Sequence, residues 1–596
     1  MDSDVLTRAD QAPAAPAPPT TDPLWWRSAV IYQVYVRSFA DGNGDGTGDL
    51  AGVRARLGYL KDLGVDAIWF NPWYPSPLAD GGYDVQDYRD IDPRFGTLAE
   101  AEALIAEALE LGIRTIIDVV PNHISDQHPW FQEALAAEPG SPARERFWFH
   151  PGKGENGDEI PTHWVSSFQG ETWTRTTNPD GTPGEWYLHM FTPEQPDLNW
   201  NHPDVRREHE DILRFWFDRG VAGVRIDSAA LLIKDADLPE VGEKPDHPTE
   251  DRDELHDVYR SWRAIADSYP GTRVLVGEIW VPDIDRFTAY LRPDEMHTAF
   301  NFDFLARPWG AASFRESISA TLAAHAPVGA PSTWVLSNHD VTRPVTRYGR
   351  EDTAFAFLKK RFGVPTDPQL GLHRARAAAL LVAALPGSLY IYQGDELGLP
   401  EVEDLPLDLI EDPMHFRSGG TDPGRDGCRV PLPWTGSSAP FGFGPDGSAP
   451  WLPQPAGWDG LTVEAQLADP DSTLTLYREA LRLRRALPAL GDGPLAWWDD
   501  AFPAADAVPA ASAVPAASAG PAASDVLAFR RGDDFACVVN TGDDPVPLPA
   551  GTDLLLSSSP LEHGALPGNA TAWLRIGAAT DPHPTAHTTE APAPRG

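Results

Sequence analysis

Cysteine is almost absent from this chain of 596 residues, which contains only Cys428 and Cys537. Two cysteines are too few for a disulfide framework in a chain of this size, so we expect a reducing compartment. The first residues are acidic and rich in proline and alanine, without the apolar core of a signal peptide. No apolar run is long enough to suggest a membrane span. These features predict a cytoplasmic protein without a membrane partner.

Basic residues are also scarce, with 47 Lys and Arg against 88 Asp and Glu, which gives a formal net charge of -41. Such a surface repels phosphate backbones and anionic lipids, which argues against nucleic acid and membrane partners. The acidity by itself is also typical of a solvated surface that keeps a protein soluble. A neutral substrate suits it better than an anionic one. The sequence gives no indication of the oligomeric state.

Apolar residues are plentiful by contrast, at 42% of the chain, with 21 Trp and 24 Phe. This composition supports a large folded core, and the chain length predicts two to four domains. Three segments, residues 1–23, 501–525 and 578–596, are dominated by Pro, Ala, Ser and Thr. We predict that these segments are disordered because their composition cannot bury enough apolar surface.

Short runs rich in Val, Ile and aromatic residues alternate with longer amphipathic stretches, which predicts repeated βα units. Eight such runs are present: AVIYQVYVRSF, AIWFNP, RTIIDVVPNH, GVRIDS, RVLVGEIW, TAFNFDF, TWVLSNHD and SLYIYQGDE. Eight parallel strands close naturally, so we predict an α/β fold with a (β/α)8 TIM barrel. The predicted limits are residues 24–123 and 206–489 for the barrel, 124–205 for a lobe inserted after strand 3, and 490–577 for a C-terminal β-sandwich domain.

Polar residues recur where the predicted barrel strands end. His123 ends DVVPNH, Asp227 ends GVRID, Glu278 lies in VLVGEIW, and His339 and Asp340 end VLSNHD. Barrels place their chemistry at this face, so four strands ending in this way predict an active site. The pair formed by Arg225 and Asp227 could by itself be a structural ion pair, because residues two apart on a strand share a face.

Three carboxylates at one mouth suggest acid and base chemistry on a neutral substrate, and glycoside hydrolysis needs such a set. Arg225 would favour the ionised form of Asp227, which makes Asp227 the predicted nucleophile. Glu278 follows an apolar segment, so desolvation would keep it protonated as the general acid. Asp340 then remains to stabilise the distorted sugar and its positive charge.

The segments DVVPNH, GVRIDSAAL, GEIW and SNHD, in this order, resemble the four signature regions of the α-amylase family, glycoside hydrolase family 13. QPDLNW resembles a fifth region in the form seen in the α-glucosidase and oligo-1,6-glucosidase branch. The resemblance extends from about Trp25 to about Leu487 and implies a retaining mechanism with the same three carboxylates. It also implies a pocket for the terminal sugar, with these residues: Asp80, Tyr83, His123, Phe168, Arg225, His339 and Arg425.

The stretch DGNGDGTGD carries oxygen-bearing side chains at alternate positions and begins like an EF-hand loop. Its twelfth position is Gly52, so it is not a true EF-hand, but it resembles the single calcium loop of this family branch. The predicted ligands of a structural Ca²⁺ are Asp41, Asn43, Asp45, the Thr47 carbonyl and Asp49. The alternative is a turn rich in Asx residues that binds no metal.

The resemblance implies an exo-acting α-glucosidase that releases terminal α-1,4-linked glucose from maltose and short malto-oligosaccharides. Ser228, next to the predicted nucleophile, is the residue on which the linkage prediction depends. In this family, enzymes that cleave α-1,6 bonds resemble one another in having Val at this position, whereas α-1,4 enzymes tend to have Ala or Thr, and the small hydroxylic serine is closer to the second group. An oligo-1,6-glucosidase remains an alternative. A trehalose synthase-like isomerase or an α-glucosyltransferase also remains one, because these enzymes differ from a hydrolase only in whether a sugar or water attacks the intermediate. A non-catalytic sugar-binding barrel is a further alternative, although it need not keep all three carboxylates.

Overall fold

A computed structural model describes residues 22–178, 180–502 and 525–577. Its strands, in chain order, are β1 (Val30–Val34), β2 (Ala67–Phe70), β3 (Arg114–Val119), β4 (Phe149–His150), β5 (Trp173–Thr177), β6 (Pro183–Leu188), β7 (Gly223–Ile226), β8 (Val274–Gly277), β9 (Thr298–Ala299), β10 (Thr333–Val335), β11 (Ser388–Tyr392), β12 (Ala496–Trp497), β13 (Val526–Arg531), β14 (Phe535–Asn540), β15 (Val546–Pro547), β16 (Thr552–Ser557), β17 (Ala565–Leu566) and β18 (Ala570–Ile576).

The α-helices, in the same order, are α1 (Leu50–Ala55), α2 (Leu57–Leu63), α3 (Leu98–Glu110), α4 (Pro129–Ala136), α5 (Pro142–Glu145), α6 (Pro203–Asp218), α7 (Leu255–Asp267), α8 (Ile284–Ala289), α9 (Phe302–Ala306), α10 (Ala311–His325), α11 (Pro344–Tyr348), α12 (Pro368–Ala384), α13 (Pro413–Arg417), α14 (Val463–Ala468) and α15 (Thr473–Ala486). The local sequence marks where several of these helices begin. Thr97 and Glu100 form a capping box at α3, and Asp367 caps α12 ahead of Pro368.

The barrel prediction is confirmed, because all eight predicted runs contribute strands to one parallel sheet. Its order is β10-β11-β1-β2-β3-β7-β8-β9. The strands β9 and β10 are not joined by a ladder, but the Asn301 N–H just after β9 donates to the Thr333 carbonyl at 3.0 Å. The strand residues are buried on both faces, as expected for strands that lie between a packed interior and an outer layer of helices.

The inserted segment between β3 and β7 carries a small antiparallel sheet with the order β4-β6-β5. Its aromatic cluster, which includes Trp164, Phe168 and Phe191, also contacts Met414 of α13. The lobe therefore packs against the region that follows β11, and Phe168 lies at the mouth of the barrel where the strands end.

The C-terminal region forms a five-stranded antiparallel sheet in the order β12-β13-β14-β18-β16. One face packs on α12, where the Trp573 indole N–H donates to the Leu380 carbonyl at 3.0 Å. The two-stranded sheet β15-β17 shares an apolar cluster with the opposite face. This confirms a C-terminal β domain, while the exact domain limits stay a prediction.

The predicted disordered segments lie almost wholly outside the described residues. Among the residues that the structure does describe, no helix has the length and apolarity that a membrane crossing requires. Both cysteines are buried and free of disulfides.

Candidate active site

A pocket of about 280 Å³ opens at the carboxyl ends of the barrel strands. Asp227 directly follows β7, Glu278 directly follows β8, and Asp340 lies five residues beyond β10. The predicted site residues that line this pocket are Asp80, Tyr83, His123, Phe168, Asp227, Ser228, Glu278, Asp340 and Arg425. The remaining two, Arg225 and His339, lie buried directly behind the lining residues.

Arg225 is the centre of the charged network, and its side chain is only 1% exposed. Its Nη1 donates to Asp227 Oδ1 at 2.6 Å, and its Nη2 donates to Glu278 Oε2 at 2.7 Å. Nη1 also donates to Asp118 Oδ1 at 2.9 Å. One guanidinium therefore holds three carboxylates, the predicted partner Asp227 and also Asp118 and Glu278. Such a buried cation fixes the positions of groups that would otherwise repel one another.

The pKa values of Asp227 and Glu278, two carboxylates of the pocket lining, are both raised. Burial raises the pKa of Asp227 to about 6, opposed by Arg225 and reinforced by Asp118. Burial raises the pKa of Glu278 to about 7, again opposed by Arg225 and reinforced by Asp227 and Asp340. Arg225 alone thus does not set the ionisation of Asp227, since desolvation outweighs it. The order of the two pKa values still leaves Asp227 the stronger acid and Glu278 the carboxyl that holds a proton longer.

Asp340 lies in a strongly cationic environment. Arg425 Nη1 and Arg429 Nη2 both donate to its Oδ1 at 3.0 Å. Its burial is outweighed by His339 and these arginines, which hold the pKa of Asp340 far below its ordinary value. Burial lowers the pKa of His339, so this imidazole is neutral near pH 7, and its ring stacks on Tyr83 at 5.1 Å. Asp340 is therefore a permanent negative charge in the pocket wall.

A second ion pair lies in the pocket lining. Asp80 Oδ1 accepts a hydrogen bond from Arg425 Nη2 at 2.6 Å, and its Oδ2 accepts one from Gln195 Nε2 at 3.0 Å. The Arg425 guanidinium lies 4.6 Å from the centre of the Phe168 ring. This ion pair offers charged hydrogen-bond partners to the hydroxyl groups of a sugar.

Several contributing residues were not predicted from the sequence. Asp118 interrupts the apolar strand segment TIIDVV, a signal that could have identified it as an inward-facing partner of Arg225. Arg429 had no pattern that separated a site role from a structural one, and its contact with Asp340 depends on a distant loop. Further lining residues supplied by the tertiary fold are Phe191, Glu250, Trp280, Val281, Phe357 and Met414.

Two donors besides Arg225 hold the Glu278 carboxyl. The Ser228 N–H donates to Oε2 at 2.9 Å, and the Trp280 indole N–H donates to Oε1 at 3.0 Å. Trp280 is itself stacked on Phe302, with ring centres 3.9 Å apart and planes at 7°. Because Oε2 already accepts two hydrogen bonds, Oε1 is the oxygen left to carry an acidic proton toward the pocket.

The predicted calcium loop follows β1 on the same side of the barrel. Asp41 accepts hydrogen bonds from the amides of Asn43, Gly44 and Gly46, and Asp49 accepts from those of Gly42, Asn43 and Gly52. The oxygen donors are of the kind that calcium prefers. However, no group of three or more His, Cys, Asp or Glu side chains within the described ranges converges as metal ligands do. Calcium therefore stays a prediction, and no catalytic step depends on it.

Comparison with known proteins places this geometry in a family. The profile of the α-amylase catalytic domain matches residues 33–493. A probable alpha-glucosidase of Rhizobium meliloti (strain 1021) is 37% identical over 79% of this chain and 84% of the relative. An oligo-1,6-glucosidase of Parageobacillus thermoglucosidasius is 34% identical over 78% of this chain and 84% of its own. The crystal structure of an alpha-glucosyl transfer enzyme, XgtA, superposes with a TM-score of 0.77 at 34% identity and covers 93% of this chain and 99% of that chain.

Proposed function

The chain belongs to the α-amylase family, glycoside hydrolase family 13, and from that premise we propose that it is a retaining, exo-acting α-glucosidase. Its proposed substrates are maltose and short malto-oligosaccharides, from which it removes terminal α-1,4-linked glucose. The observation that carries this proposal is the attachment of Asp227 and Glu278 to the two Nη atoms of Arg225. Such close pairing suits a covalent intermediate, whereas inversion needs a gap of roughly 6.5 to 9.5 Å for a water molecule.

In the first step, Asp227 attacks the anomeric carbon as a carboxylate while Glu278 gives its Oε1 proton to the leaving glycosidic oxygen. The bond between that oxygen and the anomeric carbon breaks, and a bond from Asp227 to the same carbon forms. Arg225 binds Asp227 Oδ1, so Oδ2 is the oxygen free to attack. The charge of Asp340 stabilises the positive charge that develops on the sugar.

In the second step, a water molecule takes the place of the departed sugar. Glu278, now ionised, accepts a proton from this water, whose oxygen attacks the anomeric carbon and releases Asp227. The network returns to its starting charge without any group outside the described pocket. Neutral His123 and His339 serve as hydrogen-bond partners, because burial lowers both of their pKa values.

We infer exo action from the ion pair between Asp80 and Arg425, which lies in the pocket lining. We propose that this pair lies at the end of the pocket that receives the terminal sugar. A carboxylate and a guanidinium at that end suit the hydroxyl groups of a non-reducing terminus. We therefore propose that a single glucose unit fills the pocket, and that the leaving sugar lies toward Trp280 and Phe357.

Transfer to a sugar acceptor is the second candidate function. The open side of the pocket has an aromatic and aliphatic rim formed by Leu231, Trp280, Val281 and Phe357, which could bind an acceptor as well as a leaving sugar. The alpha-glucosyl transfer enzyme and the oligo-1,6-glucosidase among the similar proteins are consistent with such use of the same first step. A glucosyl group passed to sugar instead of water would give a transglucosylase or an isomerase.

One experiment separates these functions. Purified protein would be incubated with maltose, isomaltose, sucrose and trehalose, and the products resolved by chromatography with anomer detection by NMR. Free glucose as the main early product from maltose supports the proposal, whereas new disaccharides or trisaccharides would favour transfer. The anomer is read on an aryl α-glucoside, from which glucose is the only sugar released. From that substrate α-glucose as the first product supports retention, and β-glucose would exclude it.

A further inference from the structure

A second cavity, of about 240 Å³, lies at the end of the barrel opposite the candidate active site. It adjoins the N-terminal ends of β3, β7 and β8 and is covered by the arm that contains Pro23 and Trp25. Thr272 anchors this arm, since its hydroxyl donates to the Pro23 carbonyl at 2.7 Å. The apolar part of the wall consists of Trp25, Ile105, Leu109 and Ile113. The cavity is thus built from the barrel itself and not from a surface loop alone.

Residues on three adjacent strands form one side of this cavity. The Ala222 N–H donates to the Thr115 carbonyl at 2.8 Å, and the Ala222 carbonyl accepts from the Val274 N–H at 2.9 Å. Ala222 therefore lies between Thr115 and Arg273, the residue before Val274. Because alanine is small, it leaves space between the two polar side chains that flank it.

These two polar side chains are buried without hydrogen-bond partners. Arg273 is 6% exposed and Thr115 is 2% exposed. Arg273 Nε and Thr115 Oγ1 have no hydrogen-bond partner in the part of the chain that the structure describes. The Tyr269 ring lies 5.6 Å from the Arg273 guanidinium, and burial lowers the pKa of Arg273. A buried cation without a counter-ion is costly, so this arrangement calls for an anion.

The other charged groups of the lining do not supply that anion. The Arg114 guanidinium stacks on Trp25 at 4.4 Å, and Asp66 and Asp22 lie close enough to favour its charged form. The Asp22 carboxylate accepts a hydrogen bond from the Leu24 N–H at 2.8 Å. The negative charge of Asp22 thus acts on Arg114, and no carboxylate among residues 22–178, 180–502 and 525–577 forms an ion pair with Arg273.

We propose that this cavity binds a small oxyanion, a phosphate or a carboxylate, between the Arg273 guanidinium and the Thr115 hydroxyl. A guanidinium donates two parallel hydrogen bonds to such an anion, and a hydroxyl donates one. The cavity is smaller than the roughly 300 to 1,000 Å³ typical of pockets for larger ligands, which favours a small ion. This face of a barrel serves stability, so the bound ion stabilises the fold and does not take part in catalysis.

The test uses the full-length chain, dialysed free of oxyanions into a chloride buffer and then titrated with inorganic phosphate or with acetate at constant ionic strength. Isothermal calorimetry should show one saturable site for at least one of the two anions. At a concentration a hundredfold above the dissociation constant, the melting temperature should rise by about 2 °C relative to chloride. Binding of phosphate but not of acetate would identify a phosphate site, whereas binding of both anions would identify a site that accepts carboxylates as well.

Two variants provide the controls. Arg273→Met keeps a long side chain but removes the charge, so it should abolish saturable binding while melting no lower than the wild type in chloride. Thr115→Val has nearly the same shape and should weaken binding about tenfold. The proposal is overturned by the absence of saturable binding, by equal binding in Arg273→Met, or by a loss of several degrees in that variant without any anion.

Discussion

Replacing Trp280 with Phe should extend catalysis to higher pH while lowering its maximum rate. The Trp280 indole N–H donates to Glu278 Oε1 at 3.0 Å, and a donor of this kind favours the ionised carboxylate. Phenylalanine keeps an aromatic ring that can stack on Phe302 but has no N–H. Removing the donor therefore raises the pKa of Glu278, and the general acid keeps its proton to a higher pH.

The size of the shift follows from the structure. A hydrogen bond to an ionised group contributes about 1.5 to 3 kcal/mol, and one pKa unit corresponds to about 1.36 kcal/mol. Trp280 is 38% exposed, so water can replace part of the lost donor and the low end of that range applies. Starting from a Glu278 pKa of about 7, we expect an increase of roughly half to one unit.

The assay measures kcat/KM for maltose across the pH range. The fall of kcat/KM on the alkaline limb of this profile reports the pKa of the general acid in the free enzyme. Maltose is essential, since a good aryl leaving group would not need protonation. The rate on the plateau should fall about tenfold because Oε1 is less firmly oriented. Val281→Ala changes a neighbouring lining residue whose side chain has no hydrogen-bond donor, so it should leave the alkaline limb at the same pH. An alkaline limb that does not move, or moves to lower pH, would refute this reasoning.

Four further predictions test other parts of the site. Asp227→Asn and Glu278→Gln should each lower kcat by several orders of magnitude with an unchanged circular dichroism spectrum, and near-normal turnover in either would remove that residue from the mechanism. Azide should partly restore Glu278→Ala acting on an activated aryl glucoside, whereas no rescue would count against its role as acid and base. Prolonged EDTA treatment should lower the melting temperature and calcium should restore it. A melting temperature that neither EDTA nor calcium changes would support the alternative of a turn that binds no metal. Ser228→Val should raise the kcat/KM ratio of isomaltose to maltose by about tenfold, and an unchanged ratio would contradict the linkage argument.

The barrel was predictable because its signals are local. Each of the eight strands is a short apolar run, and the polar residues that predicted the site follow four of them at the face where barrels bind substrates. Asp227, Glu278 and Asp340 could thus be placed around one mouth without knowing any contact between them. The calcium loop shows the limit of the same approach, since its spacing suits metal ligands and backbone turns equally well.

Partners that come from distant parts of the chain could not be predicted. Arg225 contacts Asp118, 107 residues away, and Arg425 contacts Asp80, 345 residues away. These contacts depend on which strands are adjacent and on how long loops fold back, and neither is encoded in local periodicity. The raised pKa of Asp227 could not be predicted for the same reason, because the burial and the Asp118 charge that raise it arise only in the folded structure. Arg225 lowers this pKa, as the sequence predicted.

Ser228 links two proposed catalytic residues that come from different strands, Asp227 and Glu278. It follows Asp227 at the end of β7 with a φ of 46°, a left-handed conformation that costs most residues other than glycine roughly 1 to 2 kcal/mol. In this conformation its amide donates to Glu278 Oε2 at 2.9 Å, so the backbone of the proposed nucleophile's neighbour helps to fix the proposed acid. A β-branched residue such as valine is strained here for reasons of backbone geometry alone. The melting temperature of Ser228→Val therefore has to be measured with its linkage preference, since a distorted turn would move the acid as well as reshape the pocket.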